Sequence, residues 1–325
     1  MRMRWNSLGW LAVIALVVPS CGEEPEQVKL TTGTGEKVLL RLRLEKGKSY
    51  KVQMTADQKI TQNIQGREQK ISQTIGILFK YAVQDVAADG TASIDVTHDA
   101  VTFKQDGPKG VIEYDSANPP KAPHPMTAGL AALVGQGFGM KMSNMGEVKE
   151  VTGVEAMLDK RAAALPAAEG AAKEAMEKAL KEQFGPEALK EMMQTATTRY
   201  PKQAMGVGGT WEQTLKLTKG FPMISENVHT LTARKDGIAT IAITSKVSPN
   251  PDAGPIGMGA AKMTYAFSGT QEGTQKIDEA TGWPSETVIR QDFSGEMRIE
   301  GAPGKSKPMI VPMSVKGTVR FEAVK

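Results

Sequence analysis

Over most of its length this sequence alternates apolar and polar residues with a period of two. Leu40, Leu42 and Leu44 fall on one side, Arg41, Arg43 and Glu45 on the other. Tyr50, Val52 and Met54 repeat the pattern, and so do Ile71, Ile75, Ile77, Phe79, Tyr81 and Val83. Such alternation is satisfied by strands with one buried and one wetted face, which means an antiparallel sheet. Gly47, Gly66 and the pair Asp89-Gly90 supply turns between the strands. Alternation resumes at Trp211, Leu215 and Leu217, runs through Ile241, Ile243, Met263 and Phe267, and ends in Val311, Met313, Val315 and Val319.

One block interrupts this pattern. From Val154 to about Thr198 the chain is rich in Ala, Glu, Lys, Met and Leu, all strong helix formers. Ala172, Ala175, Met176, Ala179, Leu180 and Phe184 lie at helical spacing, and Leu189, Met192, Met193 and Ala196 form a second stripe. Gly185-Pro186 separates them, Gly suiting the end of one helix and Pro the first turn of the next. Two or three helices packed on a sheet or on each other are expected. The fold class is therefore mainly β (α+β): an antiparallel curved sheet or half-barrel with an inserted helical segment. "DGTASIDVT" from Asp89 matches "DGIATIAIT" from Asp236, and "VKEVTG" from Val148 matches "IDEATG" from Ile277. Duplication of the β architecture is one explanation of these repeats.

The chain opens with Arg2 and Arg4, followed by an apolar run from Leu11 to Val18. That is the pattern of a secretory signal, and the run is much shorter than the roughly 20 residues of a membrane-spanning helix. Val18-Pro19-Ser20-Cys21 resembles the lipobox of bacterial lipoproteins. The resemblance implies cleavage before Cys21 and acylation of its thiol and new amino terminus, and two or more acyl chains hold a protein stably on a membrane. Gly22 in place of Asp implies, by the same resemblance, the outer membrane of the cell envelope. Residues 1–20 are then the signal peptide and 21–36 a polar, flexible tether. Residues 37–153 and 201–325 are two β-rich halves, and 154–200 the helical insertion.

Several functional classes are made improbable by composition. The 40 basic and 36 acidic residues nearly balance, and no basic stripe marks a nucleic-acid surface. With its one cysteine acylated, the chain has no thiol for disulfides, thiolate metal sites or nucleophilic catalysis. The 18 methionines suit adaptable apolar surfaces. "LRLRLEKGKSYKVQM", with its Lys-Gly-x-x-Tyr segment from Lys46 to Tyr50, and "ATGWPSETVIRQDFSGEM" resemble a family of uncharacterised bacterial lipoproteins defined by a domain of unknown function. A weaker likeness is to the half-barrel carriers of the bacterial envelope, which hold lipid or lipoprotein on a curved sheet. Neither resemblance implies catalytic residues.

No motif supplies those residues. His98 shares the register of Ile94 and Val96 and is expected on the core side of its strand, His124 sits in the extended "PPKAPHP" loop, and His229 lies in a strand. No two histidines are at metal-ligand spacing, and no G-x-S-x-G elbow is present. Met140, Met142 and Met145 offer soft thioethers of the kind that bind Cu(I), but Met140 and Met142 also fit strand alternation. "GVGGT" from Gly206 lacks a phosphate-loop lysine and reads as a turn. The Pro/Gly-rich stretch from Ser248 to Ala261 is too long for a simple hairpin. No metal, cofactor or nucleic acid is expected. What is expected is a membrane-anchored envelope lipoprotein that binds or scaffolds an apolar ligand or an envelope protein. The competing class is a hydrolase of envelope polymers, working through paired carboxylates brought together by folding.

Overall fold

In the computed structural model, period-two alternation becomes strands of up to 20 residues, far longer than the usual five or six. The structure describes residues 30–122, 124–163, 174, 177, 178, 181, 184–219, 222–258, 261–301 and 307–324. The strands are β1 (Leu30–Thr31), β2 (Thr34–Val38), β3 (Ser49–Ile64), β4 (Arg67–Val86), β5 (Ala92–Gly107), β6 (Gly110–Asp115), β7 (Gly137–Met142) and β8 (Val148–Thr152). They continue with β9 (Met205–Val207), β10 (Thr210–Leu217), β11 (Met223–Lys235), β12 (Ile238–Pro249), β13 (Ile256–Met258), β14 (Ala261–Asp278), β15 (Pro284–Glu300) and β16 (Met309–Val324). Helices given by the described residues are α1 (Pro125–Ala131), α2 (Glu155–Ala163) and α3 (Pro186–Ala196).

Among the described residues, fourteen strands form one antiparallel, curved sheet that is not closed into a barrel. Its path runs β1-β10-β11-β12-β14-β15-β16-β3-β4-β5-β7-β8, with β13 beside β14 and β6 beside β5; β2 and β9 pair separately. Two successive meanders, β3 to β8 and β10 to β16, are thus laid side by side and joined where the last strand pairs with β3. The turns follow local chemistry. Gln65-Gly66 and Asp236-Gly237 each place two residues at positive φ, the geometry that a two-residue hairpin in a right-twisted sheet requires. The Asp89 and Asp236 repeats both open the second strand of a hairpin, β5 and β12. The other pair falls in unequal places: Val148–Thr152 is strand β8, whereas Ile277 and Asp278 end β14.

Inward side chains form two apolar clusters. The larger gathers Ile94, Val96, Trp211 and Ile241 with the helix residues Leu130, Met157, Leu158, Leu189 and Met193. The smaller holds Phe267, Phe293 and Val315 with four buried methionines. α3 lies on β8, where the Gln194 amide accepts from Val148 N at 2.6 Å and donates to Gly146 O at 3.0 Å. An edge strand is thereby capped by a helix.

Four expectations need correction. Leu40, Leu42 and Leu44 are buried as their alternation requires, but residues 39–45 form no ladder. Leu42 N donates to Asn144 O and Arg43 N to Thr281 O, so successive amides turn to different segments. Leu30 and Thr31, assigned to the tether, already pair with Trp211 and Thr210 of β10, and Thr34 with Val207 of β9. α1 was not foreseen; its signal is Pro125 at the first helical position after an extended His124 whose Nδ1 accepts from Met126 N. Met192 is 46% exposed, so the buried stripe of α3 is Ala188, Leu189 and Met193. The stripe from Ala172 to Leu180 lies outside the described residues, where Phe184 alone of that set is placed, in a helical turn.

Candidate functional site

The inward positions of β3 read Val52, Met54, Ala56, Gln58, Ile60: an amide stands where alternation calls for an apolar side chain. Every long strand does something similar, and pairing aligns the exceptions. Gln213 faces Asn227, Asn227 faces Ser245, Ser245 faces Gln271 and Gln271 faces Gln291. Gln291 then faces Gly317, Gly317 faces Gln58, Gln58 faces Gln73 and Gln73 faces Gln105. One row of neutral polar residues therefore crosses nine strands of the sheet's inner face. All eight side chains in it are buried, Asn227 and Gln271 to 1% exposure. The row is also the boundary between the two apolar clusters. On β3, Ala56 belongs to the larger and Ile60 to the smaller; on β16, Val319 and Val315 divide the same way.

Hydrogen bonding along this belt is incomplete. Ser225 Oγ donates to Asn227 Oδ1 at 2.9 Å, and Gln73 Nε2 reaches Gln58 Oε1 only at 3.5 Å. Gln58 Nε2, Gln73 Oε1, Gln105 Oε1, Ser245 Oγ and both polar atoms of Gln271 have no partner among the described residues. Each such atom costs about 1–3 kcal/mol when buried unsatisfied. Among the described residues, none of the buried polar side chains is a Lys, Arg, Asp or Glu.

On the solvent face of the same strands lies an open groove of about 860 Å³. Its lining joins Gln58, Gln73, Gln291 and Gly317 of the belt to their sequence neighbours, among them Asp57, Lys59, Arg290 and Lys316. Sheet curvature makes it: a Cβ on Gly317 would sit 2.4 Å from Asp57 O, so β16 and β3 approach here only because the side chain is missing. Asp57 accepts from Thr74 at 2.6 Å, and Asp292 pairs with Lys316 at 2.8 Å.

The histidines do not meet. His98 is buried on the core side of β5, as its register requires, with Nδ1 2.9 Å from Gln136 O and rings of Phe79 and Phe138 beside it. Burial lowers its pKa, against the opposing bond to Gln136 and with the help of Arg161. His229 stacks on Trp211 at 5.1 Å, and burial pushes its pKa down to about 4. His124 caps α1. Among the described residues no group of three or more His, Cys, Asp and Glu is placed to hold a metal. Met140 and Met142 point into the larger cluster, each 2% exposed, while Met145 lies in the following turn. "GVGGT" is the turn between β9 and β10, with Gly208 at φ +80°. Within the Ser248–Ala261 stretch, Asn250 Nδ2 donates to Leu217 O at 2.8 Å, and β13 folds back on β14. Cys21 lies outside the described residues.

Six described carboxylates have their pKa lowered. Hydrogen bonds from Arg234 keep Glu279 below the usual range, as those from Thr281 do Asp278 and those from Lys276 do Glu286. Every shift resolved for a described carboxylate is downward, which is the wrong direction for a general acid.

The two segments that carried the family resemblance meet in space. Tyr50 stacks on Trp283 with ring centroids 4.6 Å apart, and Arg43 Nη1 donates to Glu279 O and Ala280 O. Tyr200 Oη donates to Gly282 O from the other side. These residues clamp the entering chain against the β14–β15 turn; their part is structural.

No relative of the sequence was found among curated proteins. Of solved structures, lipid–protein interactions in lipovitellin is similar over 87% of this chain at 7% identity, with a TM-score of 0.44. This chain spans 26% of that one. Pseudomonas aeruginosa OpdQ is similar over 85% of this chain and 98% of its own, at 9% identity and a TM-score of 0.21. An outer membrane channel from Pseudomonas putida F1 covers 87% of this chain and 97% of its own, at 8% identity and a TM-score of 0.21. A family of unknown function, DUF6263, matches residues 89–284, more than half of the sequence and helices α1 to α3, and the chain belongs to that family.

Proposed function

We propose that this protein is a lipid-anchored lipoprotein of the bacterial envelope whose curved sheet binds or scaffolds and does not catalyse. The observation that carries the binding role is the inner face itself: two apolar clusters divided by a neutral belt, several of whose buried donors and acceptors have no partner among the described residues. Carboxylates held below their usual range argue against the acid–base pair that the hydrolase reading needs. Anchoring rests on the sequence alone, on Arg2, Arg4, the short apolar run and the lipobox-like Val18-Pro19-Ser20-Cys21. Gly22 directs it to the outer membrane, with the sheet in the adjoining aqueous space. Among the described residues no helix is long and apolar enough to cross a membrane.

The test is purification from the native envelope. Mass spectrometry of the amino-terminal peptide is expected to give acylated Cys21 as the first residue; unmodified Cys21, or an intact Met1, refutes the anchor. Native mass spectrometry and solvent extraction, run beside a broad hydrolase screen, test the binding role. A stoichiometric lipid or protein companion supports it. Turnover abolished by a single Asp or Glu substitution overturns it.

A further inference from the structure

The two ends of the interior differ in what closes them. The helix residues Leu130, Met157, Leu158, Leu189 and Met193 all belong to the larger cluster, and none of the described helix residues belongs to the smaller. The smaller cluster is built from strand residues alone among those described, and α3 reaches its edge only through Glu191, which accepts from Thr218 N, Thr218 Oγ1 and Lys219 N just after Leu217. It is also rich in methionine, with Met223, Met263, Met297 and Met313 among its 15 buried members. Unbranched thioethers repack around a guest with little loss, which suits a surface that must open and close. Its floor is the belt, where Gln58, Gln73 and Gln271 are 3%, 2% and 1% exposed and present both unused N–H donors and unused carbonyl acceptors.

We infer that this end takes an uncharged amphiphile, with its hydrocarbon chain among the four methionines and its hydroxyl or amide head on Gln58, Gln73 and Gln271. The inference rests on the binding role above and gives it a ligand class. A head that donates and accepts is required because the belt offers both. The head is uncharged because none of the described residues buried in the interior would compensate an ionised one, and an uncompensated buried charge is far more costly than a buried hydroxyl. Water alone would also satisfy the belt, and the experiment separates the two.

Delipidated full-length protein is titrated with 1-monooleoylglycerol below its aggregation concentration, and binding is read by native mass spectrometry. One molecule per chain is expected. The same chain bearing a phosphate head is expected to bind at least 10-fold more weakly. Gln58→Leu and Gln271→Leu, singly and together, should weaken monooleoylglycerol at least 10-fold without lowering the ligand-free melting temperature, since an apolar side chain of similar shape replaces an unsatisfied amide. Gln73→Leu, with the same expected loss of binding, provides a second variant if the double one fails to fold. No uptake by the natural protein, equal uptake of the phosphate form, or full uptake by a folded belt variant overturns the inference. A protein companion found on native purification, with no monooleoylglycerol uptake, would leave the binding role standing and remove only this site.

Discussion

At the scale of single residues, two positions show how tertiary contacts set the cost of a change. Gly282 has φ +69°, and a Cβ there would lie 2.0 Å from Arg41 O. Gly282→Ala is expected to destabilise by at least about 2 kcal/mol, combining left-handed strain with the displacement of Arg41. Urea denaturation measures it, and an unchanged midpoint would contradict the clamp. His229 is the second position. Its pKa falls from 6.5 to about 4 in the folded chain because burial disfavours the imidazolium. Between those values the unfolded chain binds the proton and the folded chain does not, so stability drops as pH falls from 6.5 towards 4. The loss amounts to about 3 kcal/mol. Above 6.5 this residue adds no pH dependence. His229→Phe, which keeps a ring on Trp211, should flatten that part of the urea midpoint against pH, leaving the smaller same-signed slope from His98.

Among elements, the β8 edge depends on one side chain. Gln194 of α3 serves the Val148 amide and the Gly146 carbonyl together, both buried. Gln194→Ala removes the partner of the Val148 amide, while Gly146 O keeps its bond from Thr197 Oγ1 at 3.1 Å, and is expected to cost about 1–3 kcal/mol. Hydrogen exchange at Val148 should accelerate by more than tenfold relative to the amides of β4, which the change does not touch. Equal exchange would mean that the strand is held by β7 alone. Much of this was legible beforehand: Gly185-Pro186 marks the start of α3, and Leu189 and Met193 mark its buried face. Met192 was misplaced because helical spacing defines a stripe but not its width, which depends on how closely β8 approaches.

For the whole molecule, the helices are part of the fold and not an appendage. Met157, Leu158, Leu189 and Met193 are 3–5% exposed within the same cluster as Ile94, Val96 and Ile241. Deleting residues 155–196 would bare that cluster, and the shortened chain is expected to lose its cooperative thermal transition by circular dichroism. A cooperative, strand-rich remainder would show that the helices merely rest on the sheet. The family match runs from the Asp89 turn to the clamp at Pro284, so β3, most of β15 and β16, which join the two meanders, fall outside it.

Period-two alternation determined the antiparallel strands, and turn chemistry at Gln65-Gly66 and Asp236-Gly237 determined where they reverse, because both are local. Helix position followed from composition and the Gly185-Pro186 break for the same reason. The short α1, hidden in a proline-rich loop, and the ladder-free stretch from Leu39 to Glu45 escaped, because one depends on a histidine cap and the other on which segments receive its amides. The belt was invisible for a stronger reason. Each of its members is, in sequence, a Gln, Asn, Ser or Gly on an inward register that is mostly apolar, separated from the next along the chain by 14 to 108 positions. Only strand pairing across two meanders, closed by the contact of β16 with β3, brings those exceptions into one row and buries them between two apolar clusters.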